Sequence, residues 1–266
     1  MKVIEPSFEI LSEISDGGIK ELKHIEKIGR ICYKSEDRIS EDGESAKKFI
    51  RNLIKHGHFS VIEHSSISIK FTVDRGVSHE LVRHRLASYS QESTRYVNYS
   101  IDRFGNEITV VIPTKFKFGK YKCIINTNEC YDDKKVIKLD DGVYRNDNPE
   151  EFNKIMQVYW LKSCLYAEHV YMSMVDYNDK FKVEPELARS VLPTSTKTDI
   201  TITTNYRELR TILNLRCAND AHPDIRFIMK KILSELHYRI PVIFDDLYQL
   251  YIVETEDPIF DNSLFL

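Results

Sequence analysis

Residues 83–96 read Arg-His-Arg-Leu-Ala-Ser-Tyr-Ser-Gln-Glu-Ser-Thr-Arg-Tyr, a stretch that sets three guanidinium groups beside hydroxyls and an amide. Guanidinium can contact phosphate through two parallel hydrogen bonds and can stack on flat rings, so the stretch suits a ligand both anionic and planar. The alternative is a helix end whose cations favour the macrodipole and bind nothing. Ahead of it Ile67, Ile69, Phe71 and Val73 alternate with Ser66, Ser68, Lys70 and Thr72, the period of a half-buried strand. Val77, Leu81, Val82 and Leu86 then recur at helical spacing, which predicts a short helix carrying Arg83, His84 and Arg85 at its far end. After Leu86 the period stops, and the residues up to Tyr96 read as a polar loop.

Two further groups could do chemistry. His56, His58 and His64 gather with Glu63 in one short turn, but the spacing is not that of a helical zinc motif, and no cysteine or second carboxylate joins it. No metal is expected. Further on, Thr198, Ile200, Ile202 and Thr204 alternate as a strand, and Asn205 can cap a following helix with Glu208 in a capping box. That helix runs through Arg216 with Leu209, Ile212 and Leu213 on its apolar side. Asn205 and Arg216 are eleven residues apart, about three turns, so they share one face.

These segments together resemble the flavin-dependent thymidylate synthases. Arg83-His84-Arg85, seven residues, Ser93, then Arg95-Tyr96 is similar to the family signature. Gly29 to Ser35, His58 to His64, Ala188-Arg189 with Leu192-Pro193, Asn205-Tyr206-Arg207 and Asn214-Leu215-Arg216 resemble other family segments in the same order, covering residues 19–113 and 185–236. The resemblance implies methylation of dUMP to dTMP with 5,10-methylenetetrahydrofolate, FAD and NADPH. It assigns dUMP to Glu80, Leu81, Val82, Arg83, Gln91, Glu92, Ser93, Thr94, Arg95, Arg189 and Arg216, with Arg216 acting in catalysis. It assigns FAD to His58, Ser60, Arg83, His84, Arg85, Gln91, Asn205, Tyr206, Arg207 and Thr211. It also implies a homotetramer with shared active sites. The chain departs from several members at Ser90-Gln91, where they have Asn-Glu, and at Thr211 and Asp220. Gln91 can hydrogen-bond but cannot ionise. A dUMP hydroxymethylase using the same site, and a non-catalytic nucleotide or RNA binder using the arginine loop, are the alternatives.

Composition bounds the rest. The 266 residues carry a net charge of −3, which argues against a general nucleic-acid binder, and 42% hydrophobic content can fill a sizeable core. The five cysteines form no C-x-x-C pair, which suggests a reducing compartment. There is neither a basic leader with an apolar run nor an apolar stretch of bilayer length, so no membrane is expected and cytoplasm is the default. The expected fold is a single α+β domain over 1–266, a mixed sheet with surrounding helices. Residues 3–14 read as one strand, and Leu22, Ile25, Ile28 and Cys32 as a buried helix face. Ser45 is expected to cap a second helix carrying Phe49, Ile50, Leu53 and Ile54, which Gly57 ends. Ile108 to Ile112 reads as a strand. Residues 114–150 are dense in Lys, Asp and Asn, with a turn signal at Asp140-Asp141-Gly142. They read as a surface elaboration, and deleting most of residues 118–146 should leave FAD bound. A long helix follows, with an apolar face of Phe152, Ile155, Met156, Tyr159, Trp160, Cys164, Ala167 and Val170. Pro223 then starts a helix with Ile225, Ile228, Met229, Ile232 and Leu236 inward, and Ile240 to Leu250 forms a further apolar segment.

Overall fold

The computed structural model describes residues 1–118, 124–140, 149–176 and 181–257. In chain order the strands and helices are β1 (Lys2–Ile4), β2 (Ser7–Ile10), α1 (Ile19–Ile31), α2 (Glu44–Lys55), β3 (Ser66–Asp74), α3 (Arg75–Leu81), β4 (Ala87–Gln91) and β5 (Thr109–Val111). Then come α4 (Thr114–Phe118), β6 (Glu129–Cys130), α5 (Asp133–Asp140), α6 (Pro149–Val175), α7 (Pro185–Ala188), β7 (Lys197–Asn205), α8 (Tyr206–Arg216), α9 (Pro223–Arg239) and α10 (Pro241–Tyr248). The strands form a three-stranded sheet of order β5-β1-β6 and a four-stranded sheet of order β2-β3-β7-β4. In the smaller sheet β1 runs parallel to β5 and antiparallel to β6, so the fold is α+β with a mixed sheet. The chain divides into two compact units, residues 1–7, 71–81 and 90–200 in one and 8–70, 82–89 and 201–266 in the other.

In the first unit α6 supplies the largest apolar surface. Val158, Leu161, Cys164, Leu165, Tyr171 and Val175 are buried with Val3 and Val110 of the smaller sheet and with Ile108 and Ile112, which flank β5. The expected face of α6 is therefore rotated: Cys164 is buried, but Phe152 is 59% and Tyr159 51% exposed. The 114–150 segment is not merely surface. Ile125, Tyr131 and Val136 are at most 3% exposed and belong to the same core. Its polar density hid three well-spaced apolar anchors, and Asp132 tightens the start of α5 by accepting a hydrogen bond from the Lys135 amide at 2.8 Å. The Asp141-Gly142 part of the turn signal lies outside the described residues.

In the second unit α1 packs on α2, and α10 on both α2 and α9. Leu22, Ile25, Ile50, Leu53, Leu209, Ile212, Leu213, Ile225, Ile228, Ile232 and Leu236 are all buried, as the helical periods require. Several sequence expectations change. Residues 3–14 make two strands in different sheets, because Pro6 interrupts the ladder. Cys32 is exposed, since α1 ends at Ile31 and the buried face ends with it. Gly43 rather than Ser45 caps α2, with φ +82°, and the Ser45 hydroxyl instead donates to the buried Glu26 at 2.7 Å. Gly57, with φ +71°, does close the turn after α2, its amide donating to Ile54 O at 3.0 Å.

The buried anchors of the 114–150 segment can be tested by cavity creation. Ile125→Ala should destabilise the protein by about 2–5 kcal/mol in chemical denaturation, the range for emptying a buried isoleucine site. A change below about 0.5 kcal/mol would return the segment to the surface.

Candidate active site

β3 and β7 behave as their alternation predicts. Ile67, Ile69, Phe71 and Val73 are buried on one, and Thr198, Ile200, Ile202 and Thr204 on the other. α3 stops at Leu81, one turn earlier than expected, and Val82 and Leu86 are 41% and 71% exposed. Arg83, His84 and Arg85 therefore sit in a turn beyond the helix rather than on it. Residues 87–91 are not loop but the edge strand β4, held by backbone pairing, which leaves no apolar alternation to read.

One cluster lies within the second unit. Arg216, the last residue of α8, donates from Nε to Nε2 of His84 at 3.0 Å. His84 is only 8% exposed; burial, then the charges of Arg216 and Arg83, push its pKa below 6.5. The imidazole can then be a neutral acceptor at Nε2, with Nδ1 facing Glu208 at 3.9 Å. Burial raises the Glu208 carboxyl. The turn itself is pinned from behind: Tyr89 donates to His84 O at 2.7 Å, and Thr204 to Leu86 O at 2.9 Å. Burial, then Glu208, pushes the Tyr89 phenol up to about 12, so it remains a donor.

Arg83 and Arg85 are exposed and make no ion pair among the described residues. His58, Ser60 and Thr211 are also exposed, and Asn205 accepts the Glu208 amide at 2.9 Å, which completes half of the expected capping box. Arg207 pairs with Glu63, which ties the histidine-rich turn to α8. Tyr206 differs from the rest: it is 1% exposed and stacks edge-on against Phe244, so its side chain serves the core. Among the described residues no group of His, Cys, Asp and Glu is placed to hold a metal ion.

A second cluster lies within the first unit, around residues 91–95. Gln91 donates to Ser78 Oγ at 3.0 Å and Thr198 Oγ1 at 3.3 Å. Glu92 is held by Lys197 at 2.9 Å, by the Tyr99 hydroxyl at 2.8 Å and by the Asp199 amide at 3.3 Å. Lys197 also meets Asp199 at 2.6 Å, and Asp199 accepts from Thr72 at 2.6 Å. Burial lowers the Lys197 pKa, but the hydrogen bonds to Asp199 and Glu92 outweigh it, so the ammonium stays above its ordinary value. Arg189 donates to Thr94 at 3.3 Å, and Arg95 pairs with Glu186 at 3.3 Å, so the two nucleotide-assigned segments do meet. Ser93 accepts the Arg95 amide at 3.3 Å in the same turn. Glu80 is half-buried near the end of α3, whereas Leu81 is fully buried and its side chain serves packing.

The sequence reading missed Lys197, Asp199 and Tyr99 beneath Glu92, and Glu208 as a neighbour of His84. The first pair was legible: residues 197 and 199 occupy the opposite face of β7 from the four buried positions.

The profile of the family described as "Thymidylate synthase complementing protein" matches residues 19–242. A flavin-dependent thymidylate synthase of Mycobacterium bovis (strain BCG / Pasteur 1173P2) is 31% identical over 225 residues, 84% of this chain and 78% of the relative. The enzyme of that name from Mycobacterium sp. (strain JLS) is 29% identical over 233 residues, 85% of this chain and 80% of the relative. Among solved structures, thymidylate synthase X from Helicobacter pylori with FAD and dUMP aligns with TM-score 0.58 and 21% identity, over 91% of this chain and 98% of that one. The UMP/dUMP methylase PolB from Streptomyces cacaoi, bound with 5-Br dUMP, aligns with TM-score 0.66 and 18% identity over 94% and 98%. At these identities the two structures speak for the fold. The profile spans most of the length, so the chain belongs to the thymidylate synthase complementing proteins, the family of flavin-dependent thymidylate synthase enzymes.

Proposed function

We propose that this enzyme makes dTMP from dUMP, using the methylene of 5,10-methylenetetrahydrofolate and reducing equivalents from NADPH passed through FAD. The reading rests on the guanidinium of Arg216, tethered at Nε by the buried His84, whose pKa burial and the neighbouring guanidiniums lower. The donor set of the same unit fits a flavin dinucleotide: the Arg83 and Arg85 guanidiniums without ion-pair partners among the described residues suit its phosphates, and His58, Ser60, Asn205 and Arg207 supply further polar groups. When bound, the flavin supplies the hydride that completes the methyl group.

Carbon 5 of uracil is a weak nucleophile. Electron density reaches it if negative charge can build over N3, C2 and O2 of the ring. A guanidinium cannot act as the base, but one held in place can stabilise that charge without reorganising. His84 supplies the orientation: its Nε2 fixes the Arg216 plane, and its neutrality adds no competing positive charge. Within the first unit the Glu92–Lys197 network fixes the start of the Ser93–Arg95 turn, which the resemblance assigns, with Arg189, to the nucleotide.

The other known activation is cysteine addition at C6, and the described cysteines do not suit it. Cys217 is fully buried, and burial drives its thiol far up. Burial likewise pushes Cys164 up to about 12. Cys32 sits at the C-terminal end of α1, with no histidine or lysine hydrogen-bonded to it among the described residues, and hydrogen bonding to Glu107 raises Cys130. Assembly as a homotetramer with shared sites and a cytoplasmic location belong to the same proposal. Among the described residues no helix is long and apolar enough to cross a membrane.

The purified protein should be yellow with FAD and should bleach with NADPH; a colourless protein that FAD cannot reconstitute would overturn the reading. The product mass from dUMP separates a methyl group from a hydroxymethyl group.

Arg216→Ala should lower turnover by about two to three powers of ten, the scale of losing one charge-stabilising donor. Its flavin content should stay near wild type. Undiminished methylation would remove Arg216 from the mechanism.

The pKa of His84 is depressed below 6.5, so the neutral form and the hydrogen bond from Arg216 hold above that value and are lost as pH falls through the folded-state pKa. Turnover should show an acid limb below pH 6.5. His84→Gln, whose side-chain oxygen can accept but not titrate, should flatten that limb. An unchanged limb in the variant would assign it to another group.

A further inference from the structure

Positive charge collects along the helix pair α1–α2 of the second unit. Arg30, Arg38, Lys48, Arg51 and Lys55 line a cavity of about 700 Å³ that has no carboxylate in its wall. A neighbouring cavity of about 600 Å³ shares Arg30 and Arg38 and reaches His58; Asp37 is its one acidic wall residue. Such a concentration is unexpected in a chain whose net charge is −3. Arg38, Lys48 and Lys55 are exposed and make no ion pair among the described residues. Arg51 lies 4.0 Å from Asp245, its one ion-pair partner among the described residues. Arg30 is the fixed member: it donates to Glu26 at 2.8 and 3.1 Å, and its guanidinium lies 4.4 Å from the Phe49 ring centre.

The arrangement has a direction. Lys48, Arg51 and Lys55 fall at i, i+3 and i+7 of α2, one face of the helix, and at 1.5 Å per residue they extend over about 10 Å. A single phosphate is best held by donors converging on one point, commonly with main-chain amides among them. A row of separated cations suits a chain of separated anions.

We propose that this groove binds the γ-linked polyglutamate tail of the folate cosubstrate. The proposal rests on the reading of the enzyme as a folate user. The second cavity ends at His58, which the resemblance assigns to the flavin, so a folate whose ring meets the flavin would send its tail along Arg30 and Arg38 towards Lys48, Arg51 and Lys55. Successive glutamyl carboxylates then meet successive cations, and each exposed pair adds a small, salt-sensitive increment.

The test compares monoglutamyl with pentaglutamyl methylenetetrahydrofolate in the full-length flavoprotein and in an Arg38→Gln/Lys48→Gln/Lys55→Gln variant. Wild type should show a KM about tenfold or more lower for the pentaglutamyl form, shrinking as salt is raised from 50 to 200 mM, on the order of the screening expected for exposed charges. The variant should bring the two KM values within about twofold, while its flavin content and thermal midpoint stay near wild type. No preference in wild type, or a preference kept by the variant, overturns the proposal. Loss of FAD, or loss of discrimination between NADPH and NADH, assigns the groove to a phosphate instead and also overturns it. Direct binding of a fluorescent penta-γ-glutamate peptide separates the two readings. A protein that makes no dTMP yet binds the peptide through these cations keeps the groove and loses the reaction, whereas absence of peptide binding sinks the groove alone.

Discussion

The hydrogen bond from Arg216 Nε to His84 Nε2 is the constraint around which the catalytic account turns, because it works only if the imidazole is neutral. A histidine beside two arginines could not stay protonated without repulsion, and burial moves it in the same direction. The surrounding elements serve that state. Tyr89 and Thr204 fix the main chain on either side of the turn, and the Asn205 cap sets the start of α8, whose last residue is Arg216. Arg210, one of the few buried cations, anchors the middle of α8 by pairing with Asp246 at 2.6 Å.

The first unit uses the opposite device, charge that is paired and hydrogen-bonded. Glu92 would be unfavourable in a half-buried position without the Lys197 ammonium, the Tyr99 hydroxyl and the Asp199 amide. Burial and Glu92 together raise the Tyr99 phenol, keeping it a donor. The consequence is a rigid base beneath residues whose own side chains remain available to solvent, Arg95 and Arg189 among them.

The sequence was most legible where one face is buried. β3, β7 and α8 follow their periods, because period 2 and period 3.6 are imposed by packing against a core, whereas α9 is buried more widely, at Arg226, Phe227 and Lys230 as well as at the expected positions. It was least legible where the main chain decides. β4 is an edge strand of polar residues, and the early end of α3 follows from no side-chain signal in Arg83-His84-Arg85. The 114–150 segment misled through its average polarity: Ile125, Tyr131 and Val136, with Phe116, Ile124 and Leu139 packed beside them, bind a polar stretch to a core. The site residues came from resemblance, and physics then sorted them. Arg189 and Thr94 meet, Arg216 and His84 meet, while Tyr206 and Leu81 are packing residues whose side chains have no solvent-facing surface.

The most direct measurement is the protonation state of His84 in the intact flavoprotein, followed by ¹⁵N NMR of labelled histidine across a pH titration. The expected result is a neutral ring at pH 7 with its proton on Nδ1, a hydrogen-bonded Nε2, and a titration midpoint below the ordinary 6.5. In Arg216→Ala the Nε2 signal should change and the midpoint should rise towards the ordinary value. A midpoint above 6.5 in the native protein, or a proton resident on Nε2, would contradict the claim that a neutral histidine holds the catalytic arginine.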